Sequence, residues 1–284
     1  MKIAIDSYCY HRYFGEVYPG LEQKPEEAMS MLQFLDKAAS FGAHGVSIES
    51  CFLSDPTDAE IKAIADRLVD LKLEVMWAWG HPGGLGSGAQ PHQLHDLKKH
   101  TELASRVGAG VMRICCGGRQ TRINDWKTHK EKLTPLLEEA VEHASRHGVV
   151  LAIENHIDFL ADELVDLVET FRSDWLGVCL DTANNLRMLE DPMKAIEKLA
   201  PFAKATHIKD ITAFKGDPRA FAFWPSVALG DGLIDIRQGF ECLKSRGYDG
   251  LLALEIDYLI PGRYADEDEA VQRSIAYMKQ TLAA

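Results

Sequence analysis

The feature that most constrains the fold is an alternation. Eight short apolar runs are separated by amphipathic stretches: 3–8 (IAIDSY), 45–50 (GVSIES), 73–79 (LEVMWAW), 110–115 (GVMRIC), 149–154 (VVLAIE), 176–181 (LGVCLD), 203–208 (AKATHI) and 250–256 (GLLALEI). Most are rich in Val, Ile and Leu, as strands covered on both faces should be. The gaps read as helices. Thr57 and Glu60 form a capping box ahead of Ile61, Ile64, Leu68 and Leu71 at helical spacing. Residues 128–147 place Leu133, Leu137, Ala140 and Ala144 on one face, with Gly148 just beyond. Residues 161–172 and 234–246 repeat the pattern, and 25–41 starts at a proline and ends before Gly42. Eight strands, each followed by a helix, predict a closed (β/α)8 barrel spanning 1–284 as one domain. An open doubly wound sheet is the simpler alternative. No linker, charge block or low-complexity stretch divides the chain.

Composition narrows the function. The 284 residues carry 31 Lys+Arg against 43 Asp+Glu, a formal charge of −12. Nucleic-acid binding needs a basic face, so no nucleic-acid partner is expected. No apolar run reaches the ~18 residues of a membrane span, and MKIAIDSYCYHRYFGE does not read as a signal peptide. The six cysteines lack C-x-x-C spacing and several fall in apolar runs, which reads as reduced thiols in a cytoplasmic protein. No Gly-rich nucleotide motif occurs; 80–88 (GHPGGLGSG) reads as a flexible loop.

Four of the runs end in a residue able to bind metal: Glu154, Asp181, His207 and Glu255, separated by 27, 26 and 48 residues. The shorter spacing is one βα unit, and 48 fits a unit with a long loop. All four then lie at the carboxyl end of strands 5 to 8, where barrel enzymes place their sites. A lone acid at a strand end is more often a helix cap or an ion-pair partner, and Asp181 before Thr-Ala-Asn could be such a cap. Their joint placement is harder to explain by chance. Three carboxylates in an apolar mouth repel one another and are desolvated, and a divalent cation relieves both costs. Three oxygens and one imidazole suit Mn²⁺, Mg²⁺ or Co²⁺ better than structural zinc.

The motifs IENH, GVCLDTANN, THIKD, LGDGLID and GYDGLLALEI resemble those of the xylose isomerase-like barrels, the sugar phosphate isomerase/epimerase superfamily, over nearly the whole chain. The resemblance implies that Glu154, Asp181, His207 and Glu255 bind one divalent metal, and that Glu154 and Glu255 flank the substrate carbon and exchange its proton. It also implies a small sugar or sugar-acid substrate and assembly as a homodimer or homotetramer. The chemistry is coherent. A cation chelated by adjacent carbonyl and hydroxyl oxygens acidifies the intervening C–H and stabilises an enediolate. Reprotonation at the same carbon epimerises, and at the next carbon isomerises. With a carboxylate β to the carbonyl, the same site supports decarboxylation.

Some family contacts are missing. Ketose 3-epimerases carry a further Glu, His and Arg where this chain has Leu160, Asn184 and Ala213. Endonuclease IV needs three zinc ions and extra histidines, and His207 is the last histidine here. Other residues take their place as candidates. Lys209 shares an inward face with His207 and suits a substrate carboxylate or a developing enediolate, unless it pairs with Asp210 or a nearby Glu. His156, His81 and Glu49 are candidate substrate contacts. Asp257 reads as a supporting or solvent-facing residue, and Arg113 as an anion site or an internal partner. The aromatic loops 8–19 and 221–224 either close over a sugar or pack elsewhere. Vicinal Cys115 and Cys116, with Trp77 and Trp79, read as packing residues. The expected activity is a metal-dependent isomerase or epimerase acting on a small ketose or keto sugar acid. The alternatives are a lyase of the 3-oxo-isoapionate decarboxylase type, a dehydratase of a dehydroshikimate-like acid, and a non-catalytic sugar-binding barrel. The last predicts a degraded ligand set, whereas all four ligands are present.

Overall fold

A computed structural model describes residues 1–283. The apolar runs form eight parallel strands: β1 (Lys2–Asp6), β2 (Gly45–Glu49), β3 (Glu74–Trp79), β4 (Val111–Ile114), β5 (Val150–Glu154), β6 (Leu176–Asp181), β7 (Ala203–Ile208) and β8 (Leu251–Leu254). Each pairs with its chain neighbours, and β1 also pairs with β8, so the sheet closes. The helices α1 (Met31–Ser40), α2 (Asp58–Leu71), α3 (Gln93–Val107), α4 (Trp126–Arg146), α5 (Ala161–Phe171), α6 (Pro192–Leu199), α7 (Ile236–Ser245) and α8 (Glu267–Ala283) follow in turn. This is the expected (β/α)8 barrel, not an open sheet.

Strand alternation sorts the side chains into two cores. Outward residues such as Ile5, Ile48, Ile153, Leu180 and Leu254 pack beneath the helices. Inward residues form a separate small cluster: Ala4, Met76, Ala152, Cys179, Ala205 and Ala253. Two positions further along five of these strands come Asp6, Glu154, Asp181, His207 and Glu255. The polar layer therefore rests directly on a floor of small side chains.

Several boundaries differ from expectation. Helix α1 starts at Met31, not at 25. The Gln33 N–H donates to the Ser30 hydroxyl and the Ser30 N–H to the Gln33 side chain, a capping box that sets the start. Pro25 lies in the preceding loop. Helix α4 starts earlier, at Trp126, because Asp125 accepts from the Thr128 N–H at 2.9 Å. Helix α7 starts at Ile236 because Asp235 caps the Gln238 N–H. Strand β1 ends at Asp6, whose carboxylate accepts from the Tyr8 N–H and turns the chain into a 3₁₀ segment, Ser7–Phe14.

The glycine-rich loop 80–88 is pinned, contrary to the flexibility expected of it. The Ser87 N–H donates to the Cys116 carbonyl at 2.7 Å, and buried Ser87 bonds Thr121. Gly84 has a φ of 50°, and a Cβ there would run into the Cys115 carbonyl. Close approach of two backbones explains glycine at that position. Trp77 and Trp79 are buried, as are Cys115 and Cys116. All six cysteines are unbridged. Among the described residues no helix is long and apolar enough to cross a membrane.

Candidate active site

The long segment after β7 shows how this sequence shapes the barrel mouth. Asp210 pairs with Val227 in a two-residue antiparallel ribbon, Asp210–Ile211 with Ser226–Val227. Its carboxylate accepts the N–H groups of Gly230, Gly232 and Ile234 at 3.0, 2.9 and 3.1 Å. Those bonds fold the LGDGLID turn back onto the barrel and account for the 48-residue gap before Glu255. Asp210 is thus a loop organiser, and Lys209 does not pair with it.

Glu154, Asp181, His207 and Glu255 each offer a ligand atom within 4.8 Å of the other three, and all four are buried. His207 Nδ1 lies 3.4 Å from Glu154 Oε1 and 3.0 Å from Glu255 Oε2. Its Nε2 faces Asp6 Oδ2 at 3.3 Å. Asp181 divides its two oxygens. Oδ1 accepts the Ala183 and Asn184 N–H groups and caps the one-turn helix Asn184–Arg187, while Oδ2 faces inward. The cap uses one oxygen of Asp181 and leaves the other free to face the convergent group. Asn155 fixes the strand here, exchanging two 2.8 Å bonds with the Asp181 backbone.

Asp181 Oδ2, His207 Nδ1 and Glu255 Oε2 make no well-aligned hydrogen bond among the described residues, although Lys209 and His207 face these oxygens within 3.2 Å. Leaving buried polar atoms unpaired is costly. The charge count points the same way. Of six buried carboxylates here, Glu49 is raised to about 8 and stays neutral, so five (Asp6, Glu154, Asp181, Glu255 and Asp257) face four buried cationic groups, Arg113, Lys209, Arg187 and His207. The donor set, its poorly bonded atoms and its excess negative charge together fit a divalent cation.

Electrostatics separates the carboxylates. Burial raises the Asp181 carboxyl, outweighing Lys209. Burial also acts on Glu255, but Lys209 and His207 hold it down at about 2. Glu154 is held well below the usual range against burial by Arg113, His156 and His207. For His207, desolvation opposes charge, yet the surrounding negative groups, Glu255 and Glu154 among them, raise its pKa well above the ordinary value. Both glutamates are therefore ionised at neutral pH, ready to bind a cation or accept a proton.

A cavity of about 350 Å³ opens above this layer, lined in part by Lys209, Glu255, Asp257, His156, His81 and Tyr8. Lys209 Nζ sits 3.2 Å from Asp181, 3.1 Å from Glu255 and 3.1 Å from Asp257. His156 donates from Nδ1 to the Gly117 carbonyl at 2.9 Å, which fixes its ring. The next residue, Ile157, has a φ of 62°, a strained conformation for a β-branched side chain, and it also lines the cavity. His81 Nε2 is 2.7 Å from Glu16 Oε1, and Tyr8 bonds both Glu16 and Tyr18. Tyr18 packs on Phe221 with ring centroids 4.6 Å apart. The two aromatic loops thus meet over the cavity.

Glu49 is placed differently from the other candidates. It is wholly buried, does not line the cavity, and pairs with Arg113. Burial raises its carboxyl to about 8 despite that partner. Arg113 in turn reaches Glu154 Oε2 at 3.3 Å. Asp257, read as a supporting or solvent-facing residue, is buried and pairs with Arg187 at 2.8 Å. Arg187 and Asp6 escaped the sequence reading. Asp6 carried a usable signal, since it follows Ala4 by two positions as Glu154, Asp181, His207 and Glu255 follow their small residues. Asn184, noted only as a departure, donates to Glu154 Oε1 at 3.3 Å.

A closed parallel barrel with four convergent ligand groups at its carboxyl-terminal mouth defines a class of barrel with a metal-type site. Residues 35–281 match the family described as the xylose isomerase-like TIM barrel, and the chain belongs to it. A 129-residue stretch is 30% identical to the protein YihM of Escherichia coli (strain K12), covering 43% of this chain and 39% of that one. The 3-oxo-isoapionate decarboxylase of Pectobacterium atrosepticum is 24% identical, over 83% of this chain and 78% of its own. The inosose dehydratase of Lacticaseibacillus casei is 22% identical, over 79% and 81%. Two solved structures share the fold. L-ribulose 3-epimerase has a TM-score of 0.75 at 20% identity, covering 99% of this chain and 94% of its own. The IolI protein, solved with a zinc atom, has a TM-score of 0.75 at 16% identity, covering 100% and 98%. At these identities the structural likeness carries the fold alone. The sequence relatives include a decarboxylase and a dehydratase.

Proposed function

We propose that the chain is a divalent-metal-dependent isomerase or epimerase acting on a small polyhydroxylated ketose or keto sugar acid. The observation that carries this reading is the convergence of Glu154, Asp181, His207 and Glu255 within 4.8 Å beneath a closed-over cavity. These four residues would hold the metal, and their oxygen-rich set favours Mn²⁺, Mg²⁺ or Co²⁺. A dication there supplies positive charge that acidifies a C–H beside a carbonyl and stabilises the negative charge left behind.

The chain's own groups do the rest. Glu255, ionised beside Lys209 and His207, removes the proton from the substrate carbon. Glu154, held beside Arg113, takes a proton from water before substrate fills the cavity and delivers it to the carbon from its side, while Glu255 hands its own proton back to water as product leaves. Lys209 binds the developing oxyanion or a substrate carboxylate. His156, with Nδ1–H committed to Gly117, accepts a substrate hydroxyl hydrogen at Nε2. His81, packed edge to face with His156, offers a second hydroxyl contact. Tyr8, Tyr18 and Phe221 exclude water.

A second reading, decarboxylation of a 3-oxo sugar acid, draws on two buried cations at one wall of the cavity, Lys209 and Arg187. It also draws on the likeness to 3-oxo-isoapionate decarboxylase. One experiment tests both. The Mg²⁺-loaded protein is followed by proton NMR in D₂O with C4–C6 ketoses, their phosphates and fresh 3-oxo sugar acids. Deuterium entering a C–H beside a carbonyl, with every carbon retained, supports the isomerase or epimerase. Release of bicarbonate with a shorter ketose replaces it with the lyase. No exchange across the panel with Mg²⁺, Mn²⁺ or Co²⁺ overturns both.

A further inference from the structure

A second group of metal-ligating side chains lies on the outer surface, at the end of the barrel opposite the mouth. Glu102 is on α3, His143 is in the last turn of α4, and His147 caps that helix three residues before β5 begins. Residues four apart on a helix stand on one face, so the two imidazoles are neighbours. Their ring centroids are 4.6 Å apart, and His143 Nε2 lies 3.4 Å from Glu102 Oε1. Ligand atoms of all three lie within 4.8 Å of one another.

Three further observations distinguish this group from a chance surface cluster. His143 Nε2 is shielded from solvent and faces only Glu102, without the alignment of a hydrogen bond. The Ser105 hydroxyl donates to the His147 carbonyl at 2.9 Å, so the ends of α3 and α4 are already tied together. The nearby cations are directed elsewhere: Lys98 pairs with Glu139, and Arg146 reaches Glu142 at 3.7 Å.

We propose that Glu102, His143 and His147 form a second cation site, for a transition ion of the zinc, nickel or copper class, with water completing the coordination. Two imidazoles and one carboxylate select these ions over Mg²⁺ and Ca²⁺. The ion bridges α3 and α4 and stabilises the folded chain by binding it alone. This site does not depend on the reading of the barrel mouth.

The test compares wild-type protein with the double variant His143→Ala/His147→Ala. Both are stripped with chelator, then dialysed at neutral pH against micromolar Zn²⁺ and analysed for metal. Wild type should retain one more zinc per chain than the variant, and zinc should raise its melting temperature more. Equal zinc contents, or an equal thermal shift, would overturn the proposal. Failure of the mouth site lowers both proteins by the same one ion and leaves the difference intact. A Glu102→Gln variant, which keeps both imidazoles, should bind the extra ion more weakly. Mg²⁺ should give no difference between any of the proteins.

Discussion

Asp158 lies four residues beyond Glu154, wholly buried, and neither carboxylate oxygen is bonded by another residue. Burial raises its pKa from 3.8 to about 7, only partly offset by His156. A folded-state pKa above the unfolded one means the folded chain binds the proton more tightly. Stability from this group is therefore present at low pH and is lost as pH rises from about 4 to about 7. A rise of that size corresponds to roughly 4 kcal/mol in total, of which roughly 2.5 kcal/mol falls between pH 5 and pH 8. The variant Asp158→Asn cannot ionise and is nearly isosteric. Urea unfolding of both proteins at several pH values would give the difference in their stabilities, with other titrating groups cancelling. That difference should move in favour of the variant by roughly 2.5 kcal/mol between pH 5 and pH 8. A difference independent of pH, or one that grows in favour of wild type, would refute the reasoning.

Other substitutions probe the site and the frame separately. His207→Ala should lose its divalent ion from the mouth on dialysis, and metal analysis showing an unchanged mouth content would remove His207 from the ligand set. Glu255→Gln should bind substrate while turnover falls by about 10²-fold or more, and retained kcat would end its role as base. Arg187→Ala leaves Asp257 with Lys209 and Ser226 but without its bidentate partner, so it should cost about 3 kcal/mol in denaturant unfolding. Thr57→Ala removes the α2 cap and should cost about 1 kcal/mol, with kcat unchanged.

What could be read from sequence was what depends on local period. The alternation of apolar runs and helices foretold the closed barrel. The spacing of Glu154, Asp181 and His207 by one βα unit foretold that they meet. What escaped depends on partners distant in sequence. Glu49 ends its strand like the ligands, but Arg113, 64 residues later, pairs with it below the cavity. Arg187 acquires its place from a cap made by Asp181 and from Asp257, 70 residues on. The start of α1 went wrong because Pro25 resembles a helix start, whereas Ser30 and Gln33 make the stronger one. The loop at 80–88 looked flexible because its glycines signal freedom, but here they permit close contact with Cys115 and Cys116.

The small-residue floor beneath the polar layer has a consequence for how this barrel can change. Parity along each strand decides which residues project into the lumen, and Ala4, Ala152, Cys179, Ala205 and Ala253 set the height at which the polar groups begin. Shifting a ligand by one residue would turn it into the helix-packed exterior, so the tetrad tolerates no sliding. The loops after β1, β3 and β7 supply Tyr8, His81 and Phe221 above that plane, and only Lys209, the first residue past β7, belongs to it. On the proposed function, the reacting groups then come from strand ends and Lys209, and the walls that meet the substrate come from the loops beyond them. New substrates can be reached by rewriting loops while the reactive plane stays where it is.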